Sequence, residues 1–308
     1  MKAKMTRKVF ILSLLIFLAS CSLEQRIALK QQKKISKTAV LFRTNTEFYF
    51  TNSKVNIPDN LNEDQKTYYY DSSFVNSDFI QYMDADYYQQ QFDSNFINAL
   101  SSLGLNVYSD DSVVSFINKP KPKMIIEIVQ LEVEEHNSNY YEKTYEIDNN
   151  NNRIIRPFVI EANVNELNNG DQYLSVDIPV NTVSVNAWVK VLSLINDSVR
   201  INELLFMTYD ITDEIYGFFD YNYLKEVPYY TYDIDSIEVG DLWKAELFPT
   251  QEFSRQLTNY FENIIINHAL KLKTGKSRQW YWQINPKTKR LLPTHNNHEY
   301  DILQRAVE

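Results

Sequence analysis

A chain of 308 residues with 44% hydrophobic and 14% aromatic side chains has enough apolar material for a large core, which excludes an intrinsically disordered protein. Its formal charge is −9, from 40 acidic and 31 basic residues, a balance that argues against nucleic acid and against broad adsorption to anionic lipid. A single cysteine and 5 glycines exclude an intrachain disulfide framework and glycine-rich phosphate loops.

The most specific signal lies at the amino terminus. Lys2, Lys4, Arg7 and Lys8 precede an apolar run from Val9 to Leu18 that only Ser13 interrupts, and Leu18-Ala19-Ser20 leads into Cys21. A charged start, a short apolar core and small residues at its exit read as a secretory signal peptide over residues 1–20. The run is about half the ~20 residues that a membrane-spanning helix needs. Leu-Ala-Ser before a cysteine resembles the bacterial lipobox. The resemblance implies a diacylglyceryl group on the Cys21 thiol, cleavage before that residue, and acylation of the new amino terminus, with palmitate as the expected kind of chain. At roughly 0.8 kcal/mol per buried methylene, one acyl chain binds marginally and two or more anchor a protein durably. Cleavage removes four positive charges and no negative ones, so the mature chain carries −13. Ser22, where an aspartate is absent, implies by analogy with enterobacterial sorting the outer membrane, facing the periplasm. Residues 21–36, with Gln31-Gln32-Lys33-Lys34, read as a polar tether.

Further along, Thr38 to Phe42 is a short apolar strand, and residues 43–77 show no helical period and read as an irregular excursion. A helix fits residues 84–103, where Phe92, Phe96, Leu100 and Leu103 form one stripe and Gly104 caps the end. Leu105 to Tyr108 is a strand. Asp111 is placed as the cap of a short helix over 112–118, which Pro120 and Pro122 stop. Met124 to Val133 is a strong strand, and the Asn-rich stretch 136–175 reads as a loop or irregular hairpin. Alternation returns at Val176, Ile178 and Val180 and continues from Val183 to Val191. Asn196-Asp197 turns the chain, and Val199 to Tyr209 comes back antiparallel. Residues 210–247 are acidic and tyrosine-rich without a clear period. Pro249-Thr250 opens a second helix with Thr250 as N-cap, and Phe253, Leu257, Phe261, Ile264, Ile265, His268 and Leu272 share a face. The expected fold is α/β (α+β type): a mixed, partly antiparallel sheet with two main helices on one face and long loop or hairpin insertions. Residues 37–275 form its single domain, and the basic, aromatic extension 276–308 packs on it.

Few residues nominate chemistry. His295, His298 and Glu299 have metal-ligand types, but the Asn-Asn between the histidines disfavours the helix that would join them. His268 falls on an apolar helix face and reads as a hydrogen-bonded core histidine, and His136 sits where the chain enters the Asn-rich loop. Asp210, Asp213 and Glu214 form an acidic knot, as do Asp233, Asp235 and Asp241. Paired carboxylates serve glycoside hydrolysis when roughly 5–10 Å apart across a cleft; a helix start or a solvated turn is the plainer explanation. Lys271, Lys273, Lys276, Arg278, Lys287, Lys289 and Arg290 surround Trp280, Tyr281 and Trp282. They suit either a final strand with rings turned inward or a surface for a partner or membrane. No catalytic residue, cofactor or metal site is assigned.

Two resemblances follow from these segments. The order formed by Lys37–Phe42, the helix at 84–103, the strand after Gly104, Met124–Val133 and the pair at 183–209 resembles CsgG-like and TolB-N-terminal-like periplasmic lipoproteins, which scaffold envelope assemblies or activate envelope enzymes. The lipobox, Lys123–Glu135, Ser184-Val185-Asn186-Ala187-Trp188, Tyr209–Asp213 and Trp280–Leu291 together resemble an uncharacterised family of Bacteroidota lipoproteins. That family carries no established activity and supplies no catalytic residues; the anchor, the tether, the well-patterned core and the lack of an active-site signature lead to the expectation of a lipid-anchored, non-enzymatic scaffold or accessory subunit with a protein partner in the envelope. Two alternatives stand beside it. One is a glycan or small-ligand binder using Tyr68–Tyr70, Tyr229-Tyr230 and Trp280–Trp282; the other is a hydrolase using the carboxylates near Asp210. Replacing the anchor residue, Cys21→Ser, is expected to move the protein from the detergent phase to the aqueous phase of a cloud-point partition, read by immunoblot.

Overall fold

The computed structural model describes residues 26–31, 33, 35, 38–55, 60–142, 145–147, 153–155, 159–160, 175–196, 200–224, 226–274, 281–284, 291–294 and 304–305. Strand β1 (Ala39–Asn52) is followed by helices α1 (Glu63–Val75) and α2 (Ala85–Ser102), then by β2 (Asn106–Tyr108), α3 (Val113–Ile117) and β3 (Lys123–Glu142). The short strands β4 (Tyr145–Ile147), β5 (Arg153–Ile155) and β6 (Val159–Ile160) lead to β7 (Val176–Leu194) and β8 (Arg200–Thr212). A hairpin of β9 (Glu214–Asn222) and β10 (Val227–Asp235) precedes α4 (Trp243–Thr274), and β11 (Tyr281–Ile284), β12 (Leu291–Thr294) and β13 (Gln304–Arg305) complete the order.

The main sheet is six-stranded, in the order β13-β8-β7-β3-β1-β2. β1 runs parallel to β2 and β3, whereas β3–β7, β7–β8 and β8–β13 are antiparallel. This is the expected mixed α/β class. In β3 the inward side chains are Met124, Ile126 and Ile128; a register shift between Ile128 and Gln130 then resets the parity, so that Leu131, Val133 and Glu135 continue inward. Such a bulge bends a strand while preserving its buried face. β7 supplies Val183, Val185, Ala187, Val189 and Val191 to the same core.

Helices α2 and α4 cover that face. The α2 stripe is Tyr88, Phe92, Phe96 and Leu100, all buried. Phe96 lies 5.4 Å from Phe42 of β1 and 6.0 Å from Phe92. Tyr88 donates its hydroxyl to the Ala245 carbonyl at 2.9 Å, which ties α2 to the start of α4. Leu103 is outside the stripe and partly exposed, because the helix has ended there, and Gly104 follows at φ +89°, where a side chain would be strained.

Several elements differ from the sequence reading. β1 extends past Phe42 to Asn52 because β3 pairs with it over nearly its whole length. The irregular excursion contains α1, whose sequence has little amphipathic period; its start is instead secured by a reciprocal capping box between Asn62 and Gln65. Thr250 is no N-cap. α4 begins at Trp243, Pro249 sits inside it, and the buried Thr250 hydroxyl donates to the Leu247 carbonyl at 2.7 Å. Asp111 lies within a 3-10 turn and does not cap α3. β3 carries on through the stretch read as a loop, so His136 is a strand residue. Ala28 and Ile35, from the stretch read as a tether, are buried in the main core. Among the described residues, no helix is long and apolar enough to cross a membrane.

One acid on α2 is poorly placed for its charge. Burial alone pushes the Asp93 carboxyl from 3.8 up to about 6. The folded state therefore holds this proton more tightly than the unfolded chain does, and the resulting stability is present below pH 3.8 and lost as pH rises through about 6. Asp93→Asn is expected to stabilise the protein by about 1–2 kcal/mol near neutrality, allowing for the group's partial exposure, and to have little effect at acid pH below about 3.5; urea midpoints at the two pH values check this.

Candidate functional site

The inward parity of β3 delivers a charge to the core at position 135. Glu135 is fully buried, and its carboxylate accepts hydrogen bonds from the backbone N–H groups of Asp78 (2.9 Å), Phe79 (2.8 Å) and Ile80 (3.3 Å). Lys54 Nζ completes the shell at 2.9 Å. The same ammonium group reaches Asp78 at 2.6 Å and Asn181 Oδ1 at 2.8 Å, and lies 5.3 Å from the centre of the Phe79 ring. Desolvation works against the Lys54 charge, but hydrogen bonds to Asp78 and Glu135 hold its pKa above the ordinary lysine value.

The network continues through Asn181. Its backbone N–H and its Nδ2 both donate to one oxygen of Asp213, at 2.7 and 3.0 Å, while the Ile237 N–H donates to the other at 2.9 Å. Asp213 is thereby buried between the end of β8 and the stretch leading to α4. It is neither a solvated turn residue nor an available acid: both oxygens are engaged by donors that position the chain.

Beyond this network stands the β9–β10 hairpin. Its inner face packs Ile215, Phe219, Tyr230 and Tyr232 against Val176, Ile178 and Tyr140, from the outer ends of β7 and β3. Gly217 is required in that layer, since a Cβ there would sit 1.8 Å from the Tyr230 hydroxyl oxygen. The opposite face and the tip are uncovered: Tyr216 is 57% exposed, Phe218 59%, Tyr223 84% and Leu224 95%. Glu214, Asp220, Glu226, Asp233 and Asp235 are exposed around them. Asp220 accepts from the Tyr229 hydroxyl at 3.1 Å, which orients a further ring on that face. Tyr216 and Phe218 thus stand among exposed carboxylates on one face of the hairpin.

At the hairpin base, a cleft of about 430 Å³ opens toward the first turns of α4, lined among others by Tyr209, Asp210, Glu214, Asp235, Lys244 and Phe248. The three members of the predicted acidic knot part company here. Asp210 accepts from Ser184 Oγ at 2.6 Å and from Thr208 at 3.4 Å, Asp213 is sealed in the network, and Glu214 accepts the Tyr216 hydroxyl. Asp241 closes a local capping box with Glu238 and pairs with Lys244 at 2.7 Å; the Lys244 hydrogen bond holds its carboxyl below the usual range. Asp233 is exposed on the outer face of β10. Among the described residues, no group of three or more His, Cys, Asp or Glu is placed to hold a metal.

His268 is partly buried and faces Asn196 Nδ2 at 3.4 Å, beside the β7–β8 turn. Trp282 is buried on α4, but β11 pairs with β12 in a separate hairpin, not as the last strand of the main sheet. Tyr68 is exposed and in edge contact with Tyr69 on α1, whereas Tyr230 is buried. The rings nominated for ligand binding are therefore dispersed. Cys21, Trp280, His295, His298 and Glu299 lie outside the described residues.

Glu135, Lys54 and the exposed hairpin residues Tyr216, Phe218, Tyr223 and Leu224 were not singled out by their sequence, whereas Tyr229 and Tyr230 of the same hairpin were. The parity Leu131, Val133, Glu135 is the signal that points to the first. The hairpin offers no such cue, because its connection Asn222–Glu226 lacks the Asn-Gly or Asp-Gly signature. No protein-family profile matches the chain, and no curated protein matches it either.

Removing one partner of a buried pair strands the other charge, a loss of about 3–5 kcal/mol. Lys54→Met and Glu135→Gln are each expected to destabilise by about that amount, and the double variant by less than the sum. Chemical denaturation of the four proteins of the cycle measures the coupling.

Proposed function

We propose that this chain is a bacterial envelope lipoprotein, anchored through lipid on Cys21 to the outer membrane and facing the periplasm. In this reading the α/β domain is a non-enzymatic scaffold or accessory subunit of an envelope complex, akin to the uncharacterised Bacteroidota lipoproteins. The observation that carries the reading is the β9–β10 arm, with Tyr216, Phe218, Tyr223 and Leu224 exposed on a rigid base. Aromatic anchors of this kind dominate protein–protein contacts. The engagement of Asp213 by Asn181 and Ile237, and of Asp241 by Lys244 and Glu238, favours a positioning role for the acidic residues over hydrolysis.

A small-ligand reading draws its support from the cleft beside Asp210, where Tyr209 and Phe248 lie next to carboxylates and Lys244. Mild cross-linking of native membranes followed by pull-down tests the scaffold reading. A stoichiometric partner is expected with the wild type and is expected to be lost with Tyr223→Ser/Leu224→Ser, whose circular dichroism should remain unchanged. Recovery of the protein alone would overturn the reading.

A further inference from the structure

We propose that a basic patch where the chain enters β1 and β3 lies on anionic phospholipid headgroups, in the leaflet that holds the Cys21 lipid. The inference rests on the reading of Cys21 as an anchor and adds how the folded body meets the membrane. Its first argument is the helix found where a tether was expected. Residues 26–31, 33 and 35 are helical, and Ala28 and Ile35 are buried in the main core. Positions 28 and 35, about two turns apart, share one helix face, whereas 26, 30 and 33 share the opposite one. Arg26, Lys30 and Lys33 occupy that opposite face, and all three are exposed. Leu29 stands beside them, 44% exposed. A helix docked by its apolar face thus presents cations and a leucine outward. That combination suits a headgroup layer, where amines meet phosphates and an apolar side chain reaches the acyl boundary.

Convergence of chain segments is the second argument. β1 runs parallel to β2 and β3, so the segments entering these strands lie at one end of the sheet. The Ile35 carbonyl accepts from the Thr38 N–H at 2.8 Å, and the Thr38 carbonyl accepts from the Asn106 N–H at 2.9 Å. Ala39 pairs with Lys123 at the start of β3. The stretch entering β3 brings Ile117, 62% exposed, and the exposed Lys119 and Lys121 to the same end. Neither residues 26–38 nor residues 113–122 include an acidic side chain. A mature chain with a charge of −13 therefore carries one positive end. An anionic leaflet draws that end in and repels the rest, which orients the body as well as holding it.

Reach is the third argument. Arg26 follows Cys21 by five residues, a span of at most about 18 Å whatever path the chain takes. The lipid therefore keeps the patch close to the surface, where fields act over about 8 Å at physiological salt. Each basic side chain near an anionic surface favours contact by about fivefold, and three together by on the order of a hundredfold. β1 carries the chain from this end to the Glu135 network, with Asn52 paired to Glu135 about 40 Å further on. Seating the patch on the leaflet thus leaves the β9–β10 arm at the far end of the sheet, open to a protein partner.

Quenching by a headgroup-bound quencher tests the proposal on the full-length lipidated chain. The sequence has no cysteine besides Cys21, so a fluorophore on Ser115→Cys reports the basic end and one on Tyr223→Cys reports the arm. The vesicles are phosphatidylcholine alone or phosphatidylcholine with phosphatidylglycerol. Quenching at the basic end is expected to be stronger with phosphatidylglycerol at low salt. It is expected to fall to the phosphatidylcholine level at high salt, or in Arg26→Gln/Lys30→Gln/Lys33→Gln. The arm label is expected to stay unquenched throughout. If the helix variant loses its circular dichroism signal, Lys119→Gln/Lys121→Gln, outside that helix, takes its place and is expected to weaken quenching. Equal quenching of the basic end on both vesicles, no change in a folded variant, or quenching of the arm label would each overturn the proposal. Flotation separates this from the anchor itself. Wild type and variants are all expected to float with both vesicles, whereas a wild type that does not float would overturn the lipoprotein reading and the proposal with it.

Discussion

Placing the Glu135 carboxylate inside the protein constrains everything at one end of the sheet. A buried, unpaired carboxylate is costly, and three backbone N–H groups and the Lys54 ammonium are brought to it. Those donors come from separate parts of the chain: the turn after β1 and the segment between α1 and α2. Lys54 in turn engages Asn181 of β7, and Asn181 engages Asp213 at the end of β8. The backbone leading to α4 joins through Ile237. Hydrogen bonds in such a chain reinforce one another, and the loss of one leaves its neighbours unsatisfied. The network therefore fixes how six chain segments leave the core at the same place.

The base of the β9–β10 arm is one of those segments. With Asp213 immediately before β9 and Ile237 just after β10, both ends of the hairpin are pinned by one carboxylate. Its inner face is then seated by Tyr230 over Gly217. Loop ordering is a major cost of association, and an arm already fixed at its base and along one face has less order to lose on contact. The acidic residues near it thus divide their tasks. Buried carboxylates set the backbone, while exposed ones give the arm its charge.

Elements governed by near neighbours were legible. The four-residue spacing Phe92, Phe96, Leu100 identifies a helix face, and the alternation from Val183 to Val191 identifies a half-buried strand. α1 was missed because its helix rests on an Asn62–Gln65 cap and tyrosine-rich turns rather than on an apolar stripe. The start of α4 was placed too late because Pro249, its seventh residue, reads as a helix opening; inside the helix it cannot donate to the Ala245 carbonyl, and the Tyr88 hydroxyl takes that acceptor instead. For the acidic knot, three nearby residues of the same chemical type received three different environments. Adjacency in sequence carries no information about which of them is sealed.

The sequence by itself determined the period of the principal strands and helices, the mixed α/β class, the acidic, tyrosine-rich character of residues 210–247, and the lipobox-like run ending at Cys21. These are properties of a residue and its near neighbours. The tertiary structure alone decided that Lys54 meets Glu135, that Asn181 meets Asp213, and that Ile237 closes the shell of Asp213 from the stretch leading to α4. Those outcomes depend on strand order and on a buried environment assembled from distant segments. The low dielectric that makes a lone charge expensive, and its pairing decisive, exists only once the sheet and its two helices have closed over it.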